Sequence, residues 1–246
     1  MKLSVLSAVF NEEKILDTVS GWISYLEKCK QIDEFEIILC DDHSQPEYYE
    51  NLAGSFTEIP NVHLIRNPRN EGPGYSFSRC IQSASMEYSL ITDSDGQFPI
   101  ENVEYILQAY QEKDQTDLIV FTHREKKYDN LINVFGQKIS NRLCNWIHNT
   151  NLQDFTCAFK FVPTSLLKKI TLDAKYMNYS LDHTSKLLET EIEYLDIAIH
   201  CVSGSPKKRG LLKEFKRAFD RFFYIYYLWY RNYLLKKRIL FHRHND

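Results

Sequence analysis

The chain has no run of about 20 consecutive apolar residues, the length one helix needs to cross a bilayer. Its most aromatic uncharged stretch, Phe222 to Tyr230, is nine residues long, so a single-pass span is excluded there. There is no Cys-x-x-Cys pair. Six cysteines, at positions 29, 40, 80, 144, 157 and 201, lie far apart, which points to free thiols in a reducing cytosol rather than disulfides or a zinc site. Glycine and proline are sparse, 8 and 7 residues, and no low-complexity tract or internal repeat is present, which argues against disorder. The opening run Leu3–Val9 is short and has no cleavage signature, so it is expected to be a first core strand and not a signal peptide.

The composition that remains is that of a globular enzyme-sized chain. With 43% hydrophobic residues in 246, it can build one large core. The formal charge of -3 hides an asymmetry: from Ser205 to Asp246 there are twelve Lys and Arg against three Asp and Glu. A basic tail on an acidic body suggests an anionic partner for the tail. No nucleic-acid recognition motif accompanies it, so nucleic acid is not expected.

Apolar β-branched runs at Leu3–Val9, Glu36–Cys40, Val62–Arg66, Tyr88–Thr92 and Asp117–Phe121 alternate with helical patterns near Glu12–Cys29, Glu47–Phe56, Tyr75–Ser85 and Ile100–Lys113. That alternation predicts an α/β fold with a mostly parallel sheet and helices on both faces. The second half is less regular. Helices are expected over Leu131–His148, from Pro163 to Ile170, and over Ser180–Glu189; extended segments over Phe155–Val162 and Ile192–Val202; and a long helix, continuous or interrupted, from Leu211 to Arg238. No linker divides the chain.

Three strand ends carry acids or amides: Asn11-Glu12, Asp41-Asp42, and Asp93-x-Asp95. In a parallel sheet they converge on one rim, where open α/β sheets bind ligands. Asn11 is also suited to cap the helix that follows. Two carboxylates as close as Asp93 and Asp95 repel unless a cation or shared proton intervenes. Mg²⁺ commonly takes one or two carboxylates plus phosphate oxygens, so the first hypothesis is a metal site for a nucleoside diphosphate; a solvated turn with a capping Asp is the plain alternative. Gly72 and Gly74 permit close backbone approach to a ligand at a helix start, but they fit neither a Rossmann fingerprint nor a Walker loop.

Taken in order, Ser7-Ala8-Val9-Phe10-Asn11-Glu12-Glu13, Cys40-Asp41-Asp42-His43-Ser44, Asn70-Glu71-Gly72-Pro73-Gly74 and Asp93-Ser94-Asp95-Gly96-Gln97 resemble the family 2 glycosyltransferases, and in particular the polyprenyl-phosphate sugar synthase branch. Leu152–Lys160 is similar to the family's acceptor-side segment, and the likeness covers roughly residues 3–200. The resemblance implies a GT-A fold, nucleotide-sugar transfer with inversion, and Mg²⁺ or Mn²⁺ bound by Asp93 and Asp95, with Gln97 as an extra ligand. It implies that Glu12 and Asp41 contact base and ribose, and that Phe10, Asn11, Asp42, Gly72, Gly74, Ser94, Arg124 and Lys160 complete the nucleotide-sugar site. Ser140 falls near a polar position of the family, and Asp182 where some members place a base. The plain alternatives are a helix N-cap for Asp182, a packing role for His183 and a solvated charge for Arg124.

The chain departs from the family's pattern at Ala8 (usually Pro), at His43 (usually Gly), at Ala158-Phe159-Lys160 (Gly-Phe-Arg) and at Lys207-Lys208-Arg209-Gly210 (Arg-x-x-Gly). These changes bear mostly on the acceptor half. The expected acceptor is a polyprenyl phosphate or another glycan or glycolipid. Residues 1–205 are expected to form the catalytic domain and 206–246 a basic, aromatic helical extension. That extension packs on the body, on a second subunit, or on an anionic membrane surface, giving a cytoplasmic and peripheral protein. Two rivals stay open: a haloacid-dehalogenase phosphatase, whose nucleophile loop resembles Asp93–Gly96 but normally ends a first strand, and a non-catalytic nucleotide-sugar-binding protein.

Overall fold

The computed structural model describes residues 1–113, 118–125, 131–174, 178–202 and 211–243, without the side chains of 131–133, 211–215 and 236–243. The family-like Lys207–Gly210 and the loop Ser203–Pro206 lie outside the described residues.

Seven strands form one sheet in the order β3-β2-β1-β4-β6-β5-β7. They are β1 (Lys2–Val9), β2 (Glu34–Asp41), β3 (Val62–Arg66), β4 (Tyr88–Ile91), β5 (Ile119–Arg124), β6 (Lys160–Pro163) and β7 (Tyr194–Ile199). Strands β1 to β4 are mutually parallel, and so are β5 and β7. Only β6 runs against its neighbours β4 and β5. The chain moves from β1 out to β3, then returns to place β4 on the other side of β1. The sheet therefore has its topological switch point between β1 and β4, the place where such sheets leave a crevice at their carboxyl ends.

Strand side chains alternate between two cores. Leu3 and Val5 of β1, Ile37 and Leu39 of β2, and Leu90 of β4 face one. Helices α1 (Ile15–Leu26), α2 (Pro46–Phe56) and α4 (Val103–Lys113) cover it. Leu6, Ile38 and Ile91 face the other, covered by α3 (Pro73–Ser83), α5 (Leu131–His148), α7 (Tyr179–Leu188) and α8 (Leu211–Arg243). The period-2 pattern that made each strand recognisable is this division between cores.

Two local expectations are corrected, and one left open is answered. The segment before Lys160 is turn and coil, and Pro163 ends β6 before the one-turn helix α6 (Thr164–Leu167). Helix α8 is unbroken. Asn11 does not cap α1, which starts at Ile15 after Lys14; Asn11 instead sits at φ 48° and accepts the Gln45 backbone N–H at 2.9 Å. Among the described residues no helix is long and apolar enough to cross a membrane, and all six cysteines are free.

Candidate active site

The carboxyl ends of β1, β2, β3, β4 and β5 share one rim, and the antiparallel β6 begins there, since Lys160 pairs with Ile91. The rim therefore collects Phe10–Glu12, Asp41–Ser44, Asn67–Gly74, Asp93–Gln97, Arg124 and Lys160.

The first three segments brace one another. The Asn11 N–H donates to Ser44 Oγ at 2.9 Å. Asp41 is fully buried; its carboxylate accepts the Ser44 N–H at 3.2 Å and meets Arg66 Nε at 3.4 Å. Asp42 is a clasp: Oδ1 accepts from Asn67 Nδ2 at 2.7 Å and from the Glu71 N–H at 2.9 Å, while Oδ2 accepts the Gly72 N–H at 2.8 Å. Gly72 has φ 89° and ψ 160°, a region only glycine occupies readily, so its backbone N–H can turn onto Asp42. Gly74 lies buried in the first turn of α3, where its carbonyl accepts the Ser78 hydroxyl at 2.9 Å. His43 takes φ 63°, the left-handed conformation that the family's usual glycine would favour. Phe10 stands half exposed and Glu12 partly exposed on this rim. Asp41 and Asp42 thus hold the loops in place, with Phe10, Asn11 and Glu12 left toward the crevice.

The metal-type motif leaves β4 at the switch point. Gly96, at φ 71°, turns the chain so that the Gln97 N–H donates to Asp95 Oδ1 at 3.1 Å. A Cβ on Gly96 would lie 3.2 Å from Thr18 Oγ1. Asp93 Oδ1 accepts the Tyr179 hydroxyl at 2.8 Å, and the Tyr179 ring stacks on Phe77 with centroids 5.0 Å apart. Burial, and then the charge of Asp95, push the Asp93 carboxyl up to about 6, against the pull of Tyr179, Lys160 and Arg124. Ser94 is buried between the two acids. Gln97 lends its backbone carbonyl to the Val202 N–H at 3.0 Å.

Two cations stand beside the acids. Lys160 is buried, its ammonium bonded to the Cys157 carbonyl and, at 3.1 Å, to Ser180 Oγ. Burial pushes its pKa down to about 8, and Asp93 and Asp154 oppose that shift. Arg124 donates from Nε to Asp154 Oδ2 at 2.8 Å and from Nη2 to Thr156 Oγ1 at 3.3 Å. Burial works against its charge, but Asp154 prevails and holds the guanidinium pKa up. Arg124 is therefore a paired charge at the site and not a solvated one.

The donor set suits a hard divalent cation. Two carboxylates one residue apart, one with its proton affinity raised by burial and then by the other's charge, make the mutual repulsion that such a cation relieves. Among the described residues no third His, Cys, Asp or Glu joins them, so the remaining coordination would fall to diphosphate and water, as is usual for Mg²⁺.

Ser140 and Asp182 have their partners outside the acidic rim. Ser140 satisfies its own helix by donating to the Gly136 carbonyl at 2.9 Å. Asp182 is fully buried in α7 and caps nothing there, since Asn178 occupies the N-cap position. Its Oδ2 accepts the N–H groups of Asp173 at 2.6 Å and Ala174 at 3.0 Å, and its Oδ1 accepts from Arg231 Nη1 at 3.2 Å. Arg231 also reaches Glu189 at 2.6 Å and Ser185 Oγ at 2.9 Å. This network ties α8 to α7. His183 is buried with Nε2 unpartnered, and burial keeps its pKa well below the ordinary value, as befits a packing residue. Tyr179 was missed by sequence reasoning; its only local signal was an aromatic residue just before the Ser180 helix.

Known proteins resemble this chain in sequence and in fold. The sequence profile "Glycosyl transferase family 2" matches residues 4–171. A dolichyl-phosphate beta-glucosyltransferase of Trichomonas vaginalis is 23% identical over 225 residues, which are 86% of this chain and 70% of that protein. A dolichol-phosphate mannosyltransferase of Pyrococcus furiosus is 27% identical over 109 residues, 44% of this chain and only 30% of the other. Among solved structures, glucosyl-3-phosphoglycerate synthase of Mycobacterium tuberculosis, in complex with Mn²⁺, UDP and phosphoglyceric acid, superposes with a TM-score of 0.67 at 13% identity, covering 88% of this chain and 74% of that one. Its UDP complex gives 0.66 at 12% identity, covering 93% and 80%. The profile match spans most of the chain and takes in the whole acidic rim: this protein belongs to glycosyltransferase family 2, the nucleotide-sugar-dependent transferases of GT-A fold.

Proposed function

We propose that the chain transfers a sugar from a UDP- or GDP-sugar, with Mg²⁺ or Mn²⁺, to an anionic lipid-phosphate acceptor, with inversion at the anomeric carbon. Residues 1–205 carry the chemistry in this reading, and residues 206–246 form an extension. The carrying observation is the Asp93–Asp95 pair at the switch point of the sheet, one residue apart, with the Asp93 proton affinity raised by burial and then by its neighbour. A divalent cation bound there would neutralise charge developing on the leaving diphosphate. The chain's own residues supply the rest. Asp93 and Asp95 hold the cation, and Tyr179 orients Asp93. The loops clasped by Asp42 present Phe10, Asn11 and Glu12 to the nucleoside, while Lys160 and Arg124 set a positive field beside the acids. An acceptor oxygen bonds to the anomeric carbon as the bond from that carbon to the diphosphate oxygen breaks.

The state of Asp182 favours an acceptor that is already anionic. A hydroxyl acceptor needs a base within hydrogen-bond reach. Asp182 is buried and engaged by two backbone N–H groups and Arg231. A phosphate acceptor needs no base. The similarity to two dolichyl-phosphate glycosyltransferases supports the same choice.

The test is a panel of UDP- and GDP-sugars, each with Mn²⁺, read by thermal shift and by release of the nucleoside diphosphate. One donor should raise the melting temperature of the wild type, since ligand binding to the folded state stabilises it. Asp95→Ala should lose both the shift and the release while keeping its unliganded fold. Full turnover by the purified Asp95→Ala variant would overturn the assignment.

A further inference from the structure

Helix α8 turns Arg221 and Arg231 inward and most of its described aromatics outward. Ile225 and Leu228 are buried against the body, Arg231 is locked to Asp182 and Glu189, and Asn232 donates to the Ile147 carbonyl at 3.0 Å. On the opposite side Phe219, Phe222, Tyr226, Trp229, Tyr230 and Tyr233 recur at helical spacing and are between 38% and 62% exposed. Between Asp220 and Lys236 the only charges are Arg221 and Arg231, both on the inner stripe, so the outer face is uncharged over four turns. Helix α5, which packs on α8, leaves Trp146 70% exposed. A contiguous apolar face of this kind marks a docking surface.

We propose that the outer face of α8 docks on an anionic lipid bilayer, with the helix lying in the interfacial plane. Tyrosine and tryptophan, apolar in body and polar at the edge, suit the headgroup level. The charge pattern selects the occupant. Helix α8 carries nine Lys and Arg against two Asp and Glu: Lys213, Lys216 and Arg217, with Glu214 and Asp220 among them, leave its first end weakly net positive, and Lys236, Lys237 and Arg238, with no acid beside them, make its last end strongly so. Pairing two copies through this face, parallel or antiparallel, would set cationic end against cationic end. An anionic surface neutralises both ends at once. The inner stripe also carries Arg221, partly buried, whose guanidinium senses Arg217, Asp154 and Arg124. Arg221 of the docking helix thus lies within the field of Asp154 and Arg124 of the rim, which suits an anionic lipid headgroup arriving from the bilayer. This deepens the lipid-acceptor reading and rests on it only for its purpose: vesicle binding needs no turnover, so either can fail without the other.

The experiment is co-sedimentation of the full chain with vesicles of equimolar phosphatidylcholine and phosphatidylserine, and with phosphatidylcholine alone. Binding should favour the anionic vesicles and weaken as salt rises from about 0.1 M to about 0.5 M, because the screening length shortens. A chain carrying Phe222→Asp, Tyr226→Asp and Tyr230→Asp together should bind at least about tenfold less, since the apolar area that enters the interface is lost. Its melting temperature should match the wild type, because these side chains face away from the body. A second variant, Lys236→Glu with Lys237→Glu and Arg238→Glu, should lose the preference for anionic vesicles. Equal recovery on both vesicle types, equal recovery of the aspartate variant, or a dimer by light scattering that the aspartate variant splits into monomers would each overturn the proposal.

Discussion

Asp93→Asn should make the ligand-free protein more stable while destroying its chemistry. Asparagine keeps the shape of Asp93 and an oxygen to accept the Tyr179 hydroxyl, but removes the charge that burial and Asp95 oppose. In the fold the Asp93 carboxyl titrates at about 6 against an unfolded value of 3.8. Between those values the folded chain binds more protons than the unfolded one, so stability falls as pH rises through the window and stays lower above it. A gap of about two pKa units corresponds to about 3 kcal/mol, and partial solvent access to the carboxylate trims this to about 2 kcal/mol.

For a chain of this size, about 2 kcal/mol shifts Tm by roughly 4–8 °C. Melts followed by circular dichroism at pH 8, without divalent cations, should therefore place Asp93→Asn that far above the wild type. Near pH 4 the two should converge, because the wild-type carboxyl is then protonated in the fold. Adding Mn²⁺ and a nucleoside diphosphate should raise the wild type alone. A variant that melts below the wild type at pH 8, or a gap that does not narrow on acidification, would refute the reasoning.

Tyr179→Phe removes the hydroxyl that favours the charged form of Asp93, and should weaken Mn²⁺ binding by about tenfold in calorimetric titration, the scale of one charge-assisted hydrogen bond. An unchanged affinity would mean that the hydroxyl only fills space. Asp182→Asn breaks a buried ion pair with Arg231 and should cost about 3 kcal/mol in urea unfolding, yet keep Mn²⁺-dependent release of nucleoside diphosphate per folded molecule. A fully folded but inactive variant would instead restore Asp182 as a base. Gly96→Ala forces a Cβ into a left-handed φ of 71° and against Thr18, and should lower stability by about 1–2 kcal/mol in the same titration; a neutral result would show that the turn can relax.

The acidic rim was legible because its residues are local in sequence. Asn11, Asp41, Asp42, Asp93 and Asp95 each follow an apolar strand within a few residues, and parallel pairing alone carries those strand ends to one rim. What the sequence does not announce is which acids are spent on scaffolding. Asp41 and Asp42 look as available as Asp93, yet both are buried: the oxygens of both accept backbone N–H groups, those of Asp42 also accept from Asn67, and Asp41 forms an ion pair with Arg66. The loop from Asn67 to Gly72 lies about 30 residues away from the clasp that fixes it, and only the fold brings them together.

Helix α7 is the element whose sequence says least about its surroundings, for a physical reason. Its sequence, Tyr-Ser-Leu-Asp-His-Thr-Ser-Lys-Leu-Leu, is polar enough to suggest a solvated helix, but Tyr179 through Ser185 are all buried. The polar side chains are tolerated because distant groups satisfy them: Arg231 for Asp182 and Ser185, the Phe155 carbonyl for Thr184, and Asp93 for Tyr179. One ten-residue helix thus holds the metal-type carboxylate at one end and the C-terminal helix at the other. Cutting the chain before Leu211 would remove Arg231 and leave Asp182 buried without its cationic partner on α8. That is a strongly destabilising arrangement, only one turn from Tyr179. Truncation would therefore disturb Asp93 and the docking surface together, whereas charges placed on the outer aromatic face of α8 act on the docking surface alone.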